Sequence, residues 1–277
     1  MKHPCPPLAA LALFLSSGPV VATECIVIDQ VPAVITTAGS YCLASDLVSA
    51  GAGVRVEASN VVLDCGGIAL NGLGQSSGTT SAGVTIAGAS NVSLKRCLVK
   101  GFAEGIRAFG DGLALEGNTI VAPFANGMIV QGENVVVEGN RVMDVGGTTV
   151  PNWGTFGILL QGSGVVRDNI ISGVAASDGT GRTAYGLYAV DSDASLISGN
   201  IIRNVISDGS AIAMTLTIAG SDNAVIRGNS LANAAGIHSF GVFCSGQGNT
   251  VVENVMLGFT YGLSESCVAA GNYGEEP

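Results

Sequence analysis

The sequence predicts an all-β fold, a single-stranded right-handed parallel β-helix of about nine coils. Three observations predict it: a short repeat that opens on glycine, period-2 apolar alternation inside each repeat, and an asparagine that returns at matching turns. Aligned on the opening residue, the repeats start at Gly53, Gly83, Gly105, Gly127, Gly157, Gly186, Ala211, Gly241 and Gly262. Successive starts lie 30, 22, 22, 30, 29, 25, 30 and 21 residues apart. The shortest spacings define the unit, and the longer ones are that unit plus a loop.

Within a unit, two or three short alternating strands are separated by Gly or Asn, as strands bounded by turn signals should be. No stretch carries the apolar spacing of a long amphipathic helix. One such unit cannot bury its own apolar face. Stacked on copies of itself at about 4.8 Å per rung, it can. Composition agrees. There are 41 Gly in 277 residues, about twice the usual share. Charged residues are 12% and hydrophobic residues 47%. The chain is too apolar to be disordered. Its net charge of −10 excludes a general nucleic-acid binder, which needs a basic face.

Along the chain, residues 1–22 read as a secretory signal peptide. Lys2 and His3 precede the apolar run Leu8–Leu15, and Val20 and Ala22 are the small residues before a cut. That run is too short to span a bilayer, and no later stretch is long enough either. Residues 23–52 read as an N-terminal cap, and 53–277 as the β-helix with its C-terminal cap. The expected location is secreted or periplasmic. Cys5 leaves with the signal. Six cysteines remain, an even number that reads as disulfides in an exported chain.

The recurring asparagines are Asn118, Asn140, Asn169, Asn200, Asn229 and Asn254. Stacked, they form an internal ladder of amides, a structural role. Cys97 takes the ladder position in its rung, and Cys65 sits one residue before it in the preceding rung. Adjacent rungs bring such residues within disulfide range, which predicts Cys65–Cys97. Cys25–Cys42 then staples the N-terminal cap and Cys244–Cys267 the last two coils.

From Tyr41 to Asn272 the chain resembles secreted proteins of the right-handed parallel β-helix repeat group, within the wider pectate-lyase-like superfamily. The run Tyr41-Cys-Leu-Ala-Ser-Asp-Leu47 followed by Asn60-Val-Val-Leu-Asp-Cys-Gly66 carries the resemblance at the N-terminal end. It rests on scaffold residues, so it is specific for fold and weak for function. It implies polysaccharide as the partner. Hydrolases of the polygalacturonase type carry Asn-Thr-Asp, Asp-Asp, Gly-His-Gly and Arg-Ile-Lys; this sequence has none of them. The Tyr-Gly-Phe-Asp-Pro-His of alginate epimerases is absent too. No carboxylate pattern matches the Ca²⁺ site of pectate lyases. No metal set is read, and one mature-chain His with few Met is thin ligation for copper.

Loop lengths point to one side of the stack. The connections Gly66→Gly83, Asn140→Gly157 and Asn169→Gly186 are the longest, and Asn200→Ala211 and Asn229→Gly241 are intermediate. All five leave the same corner of the coil, and loops on a rigid scaffold are where function concentrates. They carry Trp153, Phe156, Asp178, Arg182, Tyr185, Asp208, His238 and Phe240. The outward position of the next strand reads Ile129, Leu159, Tyr188, Ala213 and Phe243, an apolar exterior stripe. Gln131 and Gln161 follow in the next outward row. On the neighbouring exterior row, Asp64, Lys95, Glu116, Glu138, Arg167, Ser198, Arg227 and Glu253 read as a solvated ion ladder.

The leading reading is a secreted β-helix that binds polysaccharide through the loop side of coils 4–8 without a standard lyase or hydrolase site. Trp153, Phe156, Tyr185, Tyr188, Phe243, Gln131 and Gln161 are its ligand-binding candidates. The alternative is a divergent lyase, epimerase or glycosidase, with Asp178, Arg182, Asp208 and His238 as catalytic candidates. A third reading is a structural surface protein whose stripe makes an oligomer contact. No cofactor is expected. An acidic protein repels an acidic glycan, so neutral glycans, or Ca²⁺ bridging to acidic ones, fit best.

Overall fold

The computed structural model describes residues 24–73, 76–150, 154–234 and 238–274. The signal-peptide segment and Trp153 lie outside the described residues. The strands form three sheets in which every registered pair is parallel. Sheet one has eleven strands, from Ile26–Ile28 to Val268–Ala270; sheet two has ten, from Ala33–Ile35 to Tyr261–Leu263; sheet three has nine, from Leu47–Val48 to Val255–Leu257. Each coil passes from sheet two to sheet one to sheet three, and each strand pairs with its equivalent one coil on. This is a parallel β-helix. Residues 24–52, set apart above as a cap, contribute strands to all three sheets. Among the described residues no helix is long and apolar enough to cross a membrane.

The core is three stacks of inward aliphatic side chains. On sheet one, Leu63, Leu94, Leu115, Val137, Val166, Ile197, Ile226 and Val251 register in one column, and each is fully buried. Sheet two adds Ile106, Met128, Ile158, Leu187, Leu216 and Val242. Burial of a full column of such side chains, at about 1.5–3 kcal/mol each, is what the isolated repeat lacks.

The opening glycine of each repeat has a steric cause. A Cβ at Gly105 would stand 2.4 Å from Ile120 Cγ2 and 2.6 Å from the carbonyl oxygen of Gly127. A Cβ at Gly157 would meet the carbonyl oxygen of Gly186 at 2.4 Å. The column leaves no room for a side chain. Spacing predicts Ala211 as the seventh start, but the registered residue is Thr215, because Tyr188 pairs with Thr217 and Leu187 with Leu216. That rung has no glycine to mark it. Ala213 is therefore fully buried rather than outward, and Thr217 holds the stripe position.

The turn from sheet one to sheet three carries the asparagine ladder. Asn169 Oδ1 accepts from the backbone N–H of Asn140 at 2.9 Å and from its side-chain amide at 3.0 Å. Asn169 Nδ2 in turn donates to Asn200 Oδ1 and to the Val137 carbonyl, both at 2.9 Å. The same pattern links Asn118 to Asn140, Asn200 to Asn229, Asn229 to Asn254 and Asn254 to Asn272. The Cys97 backbone N–H donates to Asn118 Oδ1 at 3.0 Å and ends the series. The disulfides are Cys25–Cys42, Cys65–Cys97 and Cys244–Cys267.

The exterior row of sheet one differs in two places. Asp64 pairs with Arg96 rather than Lys95, and Lys95 with Glu116 at 2.9 Å. Val252, not Glu253, registers with Arg227; Glu253 sits in a left-handed turn with φ 57°.

Candidate functional site

The long connections all run from sheet three to sheet two, at residues 72–81, 147–154, 176–183, 207–212 and 233–238. They lean on one another. The Thr149 N–H donates to the Ser77 carbonyl at 2.9 Å, across two coils with short connections. Ser177 Oγ donates to the Thr148 carbonyl at 2.7 Å.

Beside this corner lies the outer face of sheet two. Each strand there bulges once, so two consecutive residues, the column glycine and the next aliphatic, point inward. The residue just before the glycine is thereby turned outward at the corner. This outer row reads Ala82, Glu104, Asn126, Phe156, Tyr185, Met214, Phe240 and Tyr261. The second row reads Arg107, Ile129, Leu159, Tyr188, Thr217 and Phe243. Phe156, Tyr185 and Phe240, placed in loops by the sequence, are thus strand residues. Tyr261, Met214, Thr217, Glu104, Arg107 and Asn126 are the residues of this face that sequence reasoning missed. The signal was their place relative to the column residue.

The aromatic side chains form two clusters along the face. Phe156 stacks on Tyr185, with ring centroids 5.1 Å apart, and Tyr185 meets Tyr188 at 4.8 Å. Two coils on, Phe240 stacks on Tyr261 at 4.7 Å and meets Phe243 edge-on at 5.6 Å. Met214 and Thr217 fill the coil between them. Phe156, Tyr185, Tyr188, Phe240 and Phe243 are half-buried, and Tyr261 is 43% exposed. Burial pushes both tyrosine hydroxyls, Tyr185 and Tyr188, above the usual range, with the neighbouring tyrosine adding to the first and Asp191 to the second. Both stay protonated and able to donate at neutral pH.

Toward the N-terminal end this face turns polar. Glu104 is 1% exposed. Arg107 holds its carboxylate through Nε at 2.5 Å and Nη2 at 2.7 Å, and Asn126 Nδ2 donates to it at 3.4 Å. Gln131 and Gln161 register side by side in the third row. With Asp111, Glu133 and Asp191 they line a shallow cleft of about 270 Å³.

The four catalytic candidates are not gathered into one constellation. Asp208 Oδ2 accepts the Gly181 N–H at 2.6 Å. That hydrogen bond, with others from Gly179, Thr180 and Gly209, holds its carboxyl below the usual range. Asp208 is therefore an anion that pins the 179–181 backbone. Arg182 Nη1 reaches the Val150 carbonyl at 3.5 Å. Asp178 is exposed in the same loop. His238 stands apart, with Nε2 3.5 Å from the Tyr261 hydroxyl. Among the described residues no group of three His, Cys, Asp or Glu side chains is placed to hold a metal ion.

The chain matches no protein-family model and no curated protein. Among solved structures it is similar to the periplasmic alginate epimerase AlgG, with 14% identity, a TM-score of 0.50, and coverage of 87% of this chain and 75% of that one. It also matches the Dettilon tailspike protein gp208, at 15% identity and a TM-score of 0.45, over 90% of this chain and 61% of that one. A third match is the A-module of the Azotobacter vinelandii mannuronan C-5 epimerase AlgE6, at 15% identity and a TM-score of 0.42, over 90% of this chain and 88% of that one. At these identities the likeness is one of fold, and by its fold the chain is a parallel β-helix repeat protein.

Proposed function

We propose that this protein is exported and binds polysaccharide along the outer face of sheet two, beside the long loops, without cleaving it. One observation carries the reading: two clusters of partly buried rings, Phe156 with Tyr185 and Tyr188, and Phe240 with Phe243 and Tyr261, lie along one face with a single coil, that of Met214 and Thr217, between them. Because the rings stack on one another, they present mainly their edges outward, an apolar ridge against which the C–H groups of pyranose rings can pack. Tyr185, Tyr188, Gln131 and Gln161 supply hydrogen-bonding groups beside this ridge. AlgG, by its name an epimerase of alginate, does polysaccharide chemistry on the same fold, which agrees with this reading. His238 stands apart from the touching loops that carry Asp178, Arg182 and Asp208, so the four do not form one catalytic group, which favours binding over turnover. The carboxylates around the 270 Å³ cleft favour neutral glycans, or Ca²⁺ as a bridge to acidic ones.

The test is calorimetry and product analysis with a panel of neutral and acidic oligosaccharides, with and without Ca²⁺. Binding that Tyr188→Ala and Phe243→Ala weaken, with no new products, supports the reading. Shortened or unsaturated products replace it with the divergent-enzyme alternative and send attention to Asp178, Arg182, Asp208 and His238. No binding, together with self-association lost in Phe243→Ala, replaces it with the oligomer-contact reading.

A further inference from the structure

We propose that the outer face of sheet three docks the protein flat against an anionic phospholipid surface. The charges of this acidic chain are unevenly spread over its faces. Among the described residues, Arg55, Lys95, Arg96, Arg107 and Arg167 are each neutralised by a carboxylate, and none of them is on sheet three. Among the described residues, the three cations on sheet three, Lys100, Arg141 and Arg203, are all exposed and make no ion pair, whereas sheet one has a single such cation, Arg227. Arg203 makes one neutral contact, Nε to Ser172 Oγ at 3.3 Å. Asp144 is the single acidic residue on these strands.

The opposite edge of the molecule carries the complement. Exposed Asp111, Glu133, Asp191, Asp193 and Asp222 lie in the turns from sheet two to sheet one, the one corner of the coil that sheet three does not touch. Exposed Asp168 and Glu253 lie in turns at one edge of sheet three, but the ridge has these five carboxylates and no cation among its turns, so the solenoid has a charge dipole across its axis. Near an anionic plane the two ends feel different fields. Sheets of this kind stand about 10 Å apart, and charges are screened over about 8 Å at physiological salt. The surface feels the near face, and the ridge is largely hidden from it.

The pattern fits a plane better than a thread or a second copy. Lys100 and Arg203 share one outward row four rungs apart, about 19 Å, and Arg141 lies midway in the other row. Three charges spread over two dimensions match a sheet of headgroups. The side chains around them are mixed: Val121, Met143, Ile170 and Ile201, the last 42% exposed, with Thr119 and Ser172 in the same two rows. Such a mixture suits the boundary between headgroup and acyl chain. The acidic ridge of another copy offers charge but, being a row of turns, no apolar partner for these side chains. The long loops leave from the edge that sheet three shares with sheet two, and the edge it shares with sheet one is a tight asparagine turn, so the face itself is open.

Vesicle co-sedimentation of the full chain tests the proposal, using phosphatidylglycerol-rich and pure phosphatidylcholine vesicles. Each cation near such a surface is worth about fivefold in partitioning, so three are worth roughly 100-fold. The anionic vesicles are expected to bind the protein at low salt and release it at high salt, and neutral vesicles are expected not to bind it. Arg141→Gln with Arg203→Gln is expected to lower binding about 25-fold, while Arg227→Gln, a cation on sheet one, leaves it unchanged. Unaltered thermal melting shows that the double variant is folded. Equal loss in Arg227→Gln, or no binding at low salt, overturns the proposal. Self-association that the double variant abolishes, without vesicle binding, overturns it in favour of a second copy. Glycan binding at sheet two is measured separately with Tyr188→Ala, so either idea can fail alone.

Discussion

Phe156 lies nearly flat on Tyr185 of the next coil, ring centroids 5.1 Å apart and planes 20° apart. The pair exists because parallel in-register stacking puts equivalent residues of successive coils directly over one another. A ladder that aligns asparagines inside must also align side chains outside. Stacking adds about 0.5–1.5 kcal/mol beyond area burial. Phe156→Ala is therefore expected to lower stability by about 2 kcal/mol in urea unfolding. Glycan affinity should fall about tenfold by calorimetry, the loss of one good aromatic contact. Unchanged glycan affinity in a folded Phe156→Ala protein would remove Phe156 from the binding face.

The ladder predicts a larger effect from a smaller side chain. Asn169 accepts from two groups of Asn140 and donates to Asn200 and to the Val137 carbonyl, all buried. Asn169→Ala strands the Asn140 N–H and the Val137 carbonyl. At about 1–3 kcal/mol for each buried unsatisfied group, the loss is about 3 kcal/mol or more. Asn272, at the partly buried end of the series, has water as a substitute partner, so Asn272→Ala should cost less than half as much. Equal costs at the two positions in denaturant titration would mean that burial is not what makes the ladder matter.

Cys65–Cys97 ties two adjacent coils that are 32 residues apart in sequence. Closing a loop of that length in the unfolded chain is worth about 3–4 kcal/mol on the chain-entropy model. Replacing both cysteines by alanine is expected to lower the urea midpoint accordingly, with the slope rising because the unfolded state expands. A double variant as stable as the wild type would show that the stacked rungs alone hold this end of the solenoid.

The fold was legible because its causes are local and repeated. The glycine column, the ladder asparagines and the alternation all recur within about 22 residues, so each rung restates the others. The reading slipped where a rung lacks its marker. Thr215 stands in the glycine column, and without a glycine the alignment moved to Ala211 and turned buried Ala213 outward. The site was half legible. Tyr188, Phe243, Gln131 and Gln161 follow from simple alternation after the column glycine. Phe156, Tyr185 and Tyr261 do not, because the bulge before that glycine breaks period 2. Glu104 and Arg107 were invisible for another reason: a charged pair three residues apart looks like a solvated face until the loops and neighbouring coils bury one partner.

That pair carries its own prediction. Glu104 is buried, while Arg107 keeps about a third of its side chain in water. Arg107→Met leaves a buried carboxylate with only the Asn126 amide near it and is expected to cost about 3 kcal/mol. Adding Glu104→Gln removes the stranded charge, and the double variant should regain most of that loss. A double variant as unstable as Arg107→Met alone would show that packing of the arginine stem, not charge pairing, is what stabilises this corner.

Acid should loosen the 177–182 loop before it unfolds the solenoid. The Gly181 N–H and its neighbours hold the Asp208 carboxyl below its ordinary value of 3.8. A depressed folded-state pKa means stability that is fully present above the ordinary value and lost as pH falls through the folded value. Protection of the Gly181 amide against hydrogen exchange is thus expected to be constant above about pH 5. It should fade as the pH drops below about 3.8, while the buried ladder amides of Asn140 and Asn169 stay protected. Asp208→Asn should lower Gly181 protection at every pH and abolish its acid dependence. Acid dependence that survives in Asp208→Asn would assign the loop's pH response to another group.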